Sequence, residues 1–430
     1  MSGYGRARMV ELGRKWQEVT ASPEIASAVE EQVAAGLGSV TDERAAAFDY
    51  IESRRDELIS FLQELVRIPS VNPSEEFEKP LANHLAGAMR RLGMEVQQFE
   101  PYPNRVSNLG RYRGGRGDPA LLFNAHLDTV APGFDDDWRF PPFSATIRDG
   151  RIYGRGSKDC KLGIAAAMMA LRTLRECDIQ LQGDIILAFT ADEETGGHLG
   201  LGDLVRQGLI GADWAVYCEG MPGAVSLGHW GWYQFQLTAR GKASHTARKK
   251  LGVNAILQMC RVAPAIEAMT LGEGESPIVS VNMIQGGFKE NVVPDRCTIT
   301  VDVRFPIGYT AEALGLSIEG IVAELKSREP DLEIEAPRLI NLARPSATDP
   351  TEPIVSYLQA SVREVRGETP RFHYGRHTSD VRWLLLDAGI PVAGYSCGND
   401  SGHMANEYVD LEDYIQNVKI YTLLCLLLLR

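Results

Sequence analysis

The pattern of apolar and polar residues predicts alternating helices and strands from position 51 onwards. Apolar positions three and four apart predict amphipathic helices over 58–65 and 77–92. Short apolar runs predict strands over 120–125, 185–190 and 214–218, and an Ala- and Met-rich segment predicts a helix over 163–174. Buried strands that alternate with helices are typical of an α/β layered domain with parallel strands.

The pattern changes near Gly228. Segments 233–238 and 297–304 alternate apolar and polar residues with period two, which is typical of strands that expose one face to water. Helices are predicted over 254–269 and 318–326. The region 229–345 is therefore predicted to be an inserted α+β domain of βαββαβ-like order. After Pro345 the α/β pattern resumes, with one helix over 353–366 and another at the C-terminus.

These changes predict three parts of the chain. Residues 1–46 are polar and rich in Ala and Glu, and they are interpreted as an N-terminal helical extension. Residues 47–228 and 346–430 form the expected catalytic domain, and 229–345 the insert. The longest apolar run, 423–429, is far shorter than the roughly 20 residues of a membrane span. Because the N-terminus also lacks the apolar core of a signal peptide, we expect a cytoplasmic protein.

Composition excludes some classes of partner. The 430 residues include 44 Lys and Arg against 57 Asp and Glu, a net charge of −13. Without a basic stripe, this charge argues against nucleic acid or an anionic membrane as the partner. The 7 cysteines include no C-x-x-C pair, which favours reduced thiols over disulfides or a structural zinc site.

Candidate chemical groups lie just after the predicted strands, where open α/β sheets bind their ligands. These candidates are His126, Asp128, Asp159, Glu193, Glu194 and Glu219, with His403 further along the chain. The adjacent carboxylates Glu193 and Glu194 would repel each other unless positive charge lay beside them. A pair of divalent cations would supply that charge. Histidine and carboxylate ligands together suit Zn²⁺, Mn²⁺ or Co²⁺.

Several motifs, in order, resemble those of one enzyme family. They are 65–71 (LVRIPSV), 126–130 (HLDTV), 154–159 (GRGSKD), 193–196 (EETG), 219–220 (EG), 241–245 (GKASH), 252–255 (GVNA), 291–294 (NVVP), 302–304 (DVR), 402–403 (GH) and 406–409 (NEYV). Together they resemble the dinuclear metallo-hydrolases that include aminoacylase, acetylornithine deacetylase, succinyl-diaminopimelate desuccinylase and carboxypeptidase G. The resemblance covers about residues 50 to 430.

The resemblance implies a fold and a metal site. The fold would be a zinc-peptidase-like α/β catalytic domain with an inserted α+β lid and dimerisation domain. Two divalent ions per subunit would be bound, with zinc expected first and manganese or cobalt as alternatives. Their ligands would be His126, Glu194, Glu219 and His403, with Asp159 bridging the ions. Glu193 would act as general base, and Asp128 would support His126.

The resemblance also assigns residues in the insert. His245 would reach the active site of a partner subunit in a homodimer, and Asn291 and Arg304 would face the substrate. The chain departs from the usual family pattern at 228–233, which is rich in aromatic residues, and at 246–250, which is basic. Because of these departures, the resemblance does not identify the substrate.

The main hypothesis is a two-metal hydrolase that cleaves the amide C–N bond of a small substrate, one that carries a carboxylate, such as an N-acyl amino acid or a dipeptide. One alternative is a hydrolytic deaminase acting on a non-peptide, aromatic C–N bond. Another, of a different class, is a metal-free binding protein with the same fold. The last is disfavoured because all five expected ligands and the base are present.

Overall fold

The computed structural model describes Glu31 and residues 33–270, 276–329 and 331–430. Its described residues divide into two compact units. The larger comprises 33–228, 347–374 and 379–430, and the smaller comprises 229–346 and 375–378. Most of the predicted extension, 1–46, lies outside the described residues. The roles of lid and dimerisation domain for the smaller unit stay predictions.

The first part of the larger unit alternates helices with strands. Its helices are α1 (Thr41–Ser53), α2 (Arg55–Arg67), α3 (Lys79–Arg91), α4 (Lys161–Glu176) and α5 (Leu201–Arg206). Its strands are β1 (Glu95–Tyr102), β2 (Arg105–Tyr112), β3 (Ala120–His126), β4 (Thr146–Arg148), β5 (Arg151–Tyr153), β6 (Asp184–Thr190), β7 (Trp214–Tyr217) and β8 (Ala224–His229). The predicted elements of this part are confirmed, and the helices α1 and α5 and the strands β1, β2, β4, β5 and β8 are additional.

The smaller unit follows the predicted βαββαβ order. Its elements are β9 (Gly231–Arg240), β10 (Ser244–His245), α6 (Ala255–Glu267), β11 (Ile278–Gly286), β12 (Val292–Val293), β13 (Arg296–Phe305), α7 (Ala311–Arg328), β14 (Glu333–Ile334) and β15 (Arg338–Ala343). The main sheet is antiparallel, in the order β11-β13-β9-β14, and β15 also pairs with β9. Alternate residues of β9 and β13, among them Phe235 and Val301, are fully buried in one apolar cluster with residues of α6 and α7. The predicted period-two strands are therefore confirmed.

The chain then completes the larger unit with β16 (Ser346–Ala347), α8 (Pro353–Arg366), β17 (Arg371–Gly375), a π-helical turn (Trp383–Ala388), β18 (Val392–Gly394), β19 (Tyr408–Asp410) and α9 (Leu411–Leu429). The main sheet has the order β1-β2-β6-β3-β7-β18-β8-β16, and β17 pairs with β8. At its centre, β3 is parallel to β6 and β7, and β18 is parallel to β7.

The sheet is mixed rather than uniformly parallel, which corrects the sequence interpretation. β1 and β2 form an antiparallel hairpin, and β2 is also antiparallel to β6. Only Pro103 and Asn104 separate β1 from β2, too short a connection for the crossover that parallel strands need. Most β1 residues are exposed, so this strand lacks the apolar run by which buried strands are recognised.

Helix α9 explains the apolar C-terminus. It packs against α4 and α8, and its Tyr421 ring lies 5.1 Å from the ring of Phe123 in β3. Residues 420–426 are all buried, as expected for a helix that is apolar on every side. Among the described residues, no helix has both the length and the apolar character needed to cross a membrane.

Candidate metal centre

The parallel strands bring the candidate residues to one edge of the larger unit's sheet. His126 is the last residue of β3, and Glu219 lies two residues beyond the end of β7. Glu193 and Glu194 follow β6 in a short 3₁₀ turn (Glu193–Thr195). The carboxyl ends of neighbouring parallel strands meet at the same edge, so residues far apart in sequence become neighbours. Asp159, just before α4, and His403, just before β19, join them from outside the sheet.

Five side chains form two groups that share one carboxylate. In the first, His126 Nε2 lies 2.9 Å from Asp159 Oδ1 and 4.0 Å from Glu219 Oε2. In the second, His403 Nε2 lies 3.3 Å from Asp159 Oδ2 and 3.0 Å from Glu194 Oε2. Within each group, the candidate ligand atoms all lie within 4.8 Å of one another. The two oxygens of Asp159 thus face different groups, as a bridging carboxylate would.

The donor set fits two divalent cations. Each group offers one imidazole nitrogen and two carboxylates, the mixture of ligands that zinc and related ions accept. Hydrogen bonds with Asp159 and Glu194 raise the pKa of His403 to about 10. Burial alone would raise the pKa of Asp159, but hydrogen bonds with the two histidines hold this pKa well below its usual value. The cluster therefore attracts positive charge strongly.

Asp128 supports this site through its main chain and its side chain. His126 Nδ1 lies 2.9 Å from the main-chain oxygen of Asp128 and 3.5 Å from Oδ1 of its carboxylate. The two carboxylate oxygens accept hydrogen bonds from the main-chain N–H groups of Glu193 and Glu194, both at 3.1 Å. The nearest support of the imidazole is thus the main-chain oxygen. The carboxylate mainly holds the turn that carries the two glutamates.

Glu193 belongs to neither group of candidate ligands. Its Oε1 accepts a hydrogen bond of 3.2 Å from the Tyr217 hydroxyl, which also lies 2.8 Å from Glu219 Oε2. Burial above all raises the pKa of Glu193 well above its ordinary value, and the carboxylates of Asp380, Glu219 and Glu194 add to this rise. A carboxylate with a raised pKa is suited to take up a proton near neutral pH.

Glu407 is a supporting residue to which the sequence interpretation gave no role. This fully buried carboxylate accepts hydrogen bonds from the main-chain N–H groups of Gly156, Lys158 and Asp159, at 3.1, 2.9 and 3.0 Å, and from Arg155 Nη1 at 2.6 Å. It therefore fixes the loop that presents Asp159. The NEYV motif contained Glu407, but contacts to main-chain groups are not visible in a sequence.

Two further residues of the site were also missed. Tyr217 occupies an apolar position of a buried strand, so its hydroxyl contacts could not be inferred from periodicity. Lys158 is nine-tenths buried, and its Nζ lies 4.0 Å from Glu219 Oε1. Lys158 is part of the GRGSKD motif, in which the sequence interpretation assigned a role to Asp159 alone.

His245, Asn291 and Arg304 lie in the smaller unit. His245 pairs with Val292 across β10 and β12, and the main-chain oxygen of Asn291 accepts a hydrogen bond of 3.0 Å from Thr246. His245 Nδ1 accepts a hydrogen bond of 3.1 Å from Ala247 N–H, and the side chain is exposed. The pairing of β10 with β12 thus brings His245 close to Asn291, which precedes β12 and is distant from His245 in sequence.

Arg304 already has partners within its own strand pair. Its Nε donates a hydrogen bond of 2.8 Å to Asp302 Oδ1, and its guanidinium lies 4.9 Å from the centre of the Trp232 ring. Trp232 in turn donates a hydrogen bond of 2.5 Å to Asp302 Oδ2. Asp302 thus contacts the Nε and Nη2 edge of the guanidinium, at 2.8 and 3.5 Å.

Residues 122–426 match the profile of Peptidase family M20/M25/M40. The chain belongs to this family. It is 29% identical over 379 residues to a succinyl-diaminopimelate desuccinylase of Gluconacetobacter diazotrophicus, an alignment that covers 84% of this chain and 94% of the relative. It is 25% identical over 407 residues to the N-formyl-4-amino-5-aminomethyl-2-methylpyrimidine deformylase of Bacillus subtilis strain 168, covering 86% of this chain and 94% of that protein.

The fold agrees with solved structures. Aminopeptidase PepT from Bacillus cereus superposes with a TM-score of 0.74 at 23% identity, over 87% of this chain and 98% of the other. The predicted family, the α/β fold with an α+β insert, and the class of hydrolase acting on carbon–nitrogen bonds are therefore confirmed. Membership also implies a dinuclear metal enzyme, whose candidate ligands are the two groups described above.

Proposed function

We propose that this M20-family member is a two-zinc amidohydrolase that removes an acyl group from the nitrogen of a small, carboxylate-bearing substrate. The proposal rests on one observation, the two groups of candidate ligands that share Asp159. His126 and Glu219 would hold one ion, and Glu194 and His403 the other. Zinc is proposed first because it accepts this mixture of nitrogen and oxygen ligands, and manganese or cobalt would suit the same donors.

When bound, the two ions would supply Lewis acidity that lowers the pKa of a water molecule and polarises the scissile carbonyl. Glu193, which is outside the ligand groups, would take the proton of the attacking water and deliver it to the leaving nitrogen. Its buried carboxylate with a raised pKa suits both transfers. Asp128 would hold the 193–194 turn in place through its two main-chain contacts.

The substrate class is argued from the relatives and from the smaller unit. Two relatives are named for removing a succinyl or a formyl group, which supports an N-acyl substrate. The proposed carboxylate contact is Arg304, and Asn291 and His245 would assist binding and polarise the carbonyl. The aromatic stretch at 230–233 keeps the aromatic deaminase as a second candidate.

A substrate panel tests this choice of reaction. Zinc-loaded protein would be assayed with N-acetyl, N-succinyl and N-formyl amino acids and with glutamate-terminated amides, while ammonia release from aryl amines is followed in parallel. We expect a free amine and a free carboxylic acid from at least one amide. If the protein released ammonia from an aryl amine and cleaved none of the amides, the amidohydrolase proposal would be wrong and a deaminase would take its place.

Arg304→Lys tests recognition of the substrate carboxylate. Lysine keeps the charge but cannot form two parallel hydrogen bonds, so we expect a loss on the order of 2 kcal/mol, seen as a roughly 30-fold rise in KM. The methyl ester of the same substrate should be nearly unaffected. Arg240→Lys, which alters an arginine paired with Glu335 in the same unit, is the matched control. If the substitution raised KM equally for the acid and for its methyl ester, Arg304 would have a structural role instead.

We also propose a homodimer in which His245 acts in the partner's active site. If so, mixing His245→Ala with Glu193→Ala should restore about a quarter of the wild-type sites, since half the dimers would be mixed and each would hold one intact site. The measurement is activity after subunit exchange, which labelled chains would verify. No recovery despite verified exchange would refute action in the partner's site.

A cytoplasmic location is proposed on the state of the cysteines. All seven cysteines lie among the described residues, and none is in a disulfide. Unpaired thiols are typical of reducing compartments.

A further inference from the structure

A buried arginine joins two carboxylates and an amide behind the metal centre. Arg105, the first residue of β2, donates a hydrogen bond from Nη1 to Asn72 Oδ1 at 2.9 Å. Its Nη2 lies 2.7 Å from Asp192 Oδ1 and 3.2 Å from Glu78 Oε1. The Phe77 ring covers the guanidinium, with 4.6 Å between them. The side chains of Arg105, Asp192 and Glu78 are 5%, 7% and 0% exposed, so water contributes little to these contacts.

Asp192 connects this arginine to one end of the turn that carries the two glutamates. It directly precedes Glu193 and has a left-handed backbone conformation, with φ of 75°. Its carboxylate accepts hydrogen bonds from Leu199 N–H at 2.8 Å and from the Thr195 hydroxyl at 2.5 Å. Aspartate adopts this conformation more readily than most non-glycine residues, and Arg105 is the charged partner among the groups that hold its carboxylate here.

Asn72 connects the same arginine to the turn by a second route. Its Nδ2 donates a hydrogen bond of 2.9 Å to Asp128 Oδ2. The carboxylate of Asp128 accepts hydrogen bonds from the main-chain N–H groups of Glu193 and Glu194. Arg105 therefore reaches the glutamate turn through Asp192 and also through Asn72 and Asp128. Neither route involves a residue of the smaller unit.

We propose that Arg105 is a positioning residue for the general base, acting through Asp192 and Asn72 to fix the direction of Glu193. This inference rests on the proposed role of Glu193. The planar guanidinium directs its two arms at fixed angles, which a lysine ammonium cannot reproduce. Because a misplacement of about 1 Å at a reacting group can cost about 100-fold in rate, a small rotation of the turn would be visible in kcat.

The chain offers a matched arginine on the same strand. Arg111 of β2 pairs with Asp184, the first residue of β6, at 2.7 Å, whereas Arg105 pairs with Asp192, just beyond the other end of β6. Asp184 is fully buried, although the Arg111 side chain is 33% exposed whereas that of Arg105 is 5% exposed. Arg111→Lys therefore perturbs an arginine–aspartate pair of the same strands at the end away from the glutamate turn, and the thermal unfolding of the two variants shows how far the difference in burial affects stability.

The test compares Arg105→Lys with Arg111→Lys on the amide that the substrate panel shows to be hydrolysed best. For Arg105→Lys we expect kcat to fall by about 10- to 100-fold with KM within about threefold of wild type, and zinc content unchanged. For Arg111→Lys we expect kcat within about twofold of wild type. Thermal unfolding of both variants separates loss of fold from loss of rate.

A second variant serves if Arg105→Lys does not fold. Asn72→Ser changes no charge and interrupts the route through Asn72 and Asp128. For this variant we expect kcat to fall by about 3- to 10-fold.

The decisive step repeats the substitution in a Glu193→Gln background. If Arg105 acts through Glu193, Arg105→Lys should lower kcat there by less than about twofold, because the group that it positions is already gone. A fall as large as in the wild-type background, or equal losses in Arg105→Lys and Arg111→Lys, would overturn the inference. Failure of the proposed function is recognised separately, by Glu193→Gln alone retaining wild-type kcat.

Discussion

Glu193→Gln is expected to lower kcat by about 10² to 10⁴-fold or more while the protein keeps its two divalent ions. The amide has nearly the shape of the carboxylate but cannot accept the proton of the attacking water. Glu193 lies outside both groups of candidate ligands, so its replacement leaves the metal ligands intact. The measurements are steady-state kinetics and the metal content of the purified variant.

Glu194→Gln is the informative comparison for that variant. The two glutamates are adjacent and lie in the same 3₁₀ turn, but only Glu194 contacts His403, at 3.0 Å. We expect Glu194→Gln to lose metal as well as activity. Equal metal loss in the two variants would show that the roles of base and ligand are wrongly assigned.

Asp159→Ala should abolish both metal binding and activity, which is the largest effect expected of any single substitution. Its two carboxylate oxygens face the two histidines, at 2.9 and 3.3 Å, so its removal takes a ligand from both groups at once. The substitution also removes one negative charge from the cluster, which lowers its electrostatic attraction for divalent cations. Metal analysis after equilibrium dialysis measures the effect.

Asp136→Ala is the control, because Asp136 lies in an exposed turn at 135–137 and belongs to neither group. It should keep full metal content and activity. An Asp159→Ala protein that is folded and still binds two ions would refute a bridging role for this residue.

The parts of the site that the sequence predicted share a simple cause. His126, Glu194 and Glu219 follow apolar strands that are easily recognised, and parallel strands necessarily bring their carboxyl ends together. The pair Glu193 and Glu194 also carried an electrostatic signal, since adjacent carboxylates at a buried strand end need a positive partner.

The parts that could not be predicted depend on contacts without a local pattern. Glu407 acts through main-chain N–H groups, which every residue has, and Tyr217 occupies an apolar strand position. Arg105 meets Asp192 from 87 positions away in the sequence, through a hairpin whose exposed first strand lacks an apolar run. The partner of Arg304 is Asp302, two residues away on the same strand face, but only the structure shows that Trp232 completes the cluster.

The bridging role of Asp159 is the central claim, and titration of the metal-free protein with Mn²⁺ tests it most directly. Stoichiometry would be measured by calorimetry, and the magnetic state of the bound ions by electron paramagnetic resonance. We predict two ions per chain and, at full occupancy, the spectrum of an exchange-coupled pair, since one carboxylate would join both ions. A single ion per chain, or two ions whose spectra are those of isolated Mn²⁺, would contradict the account.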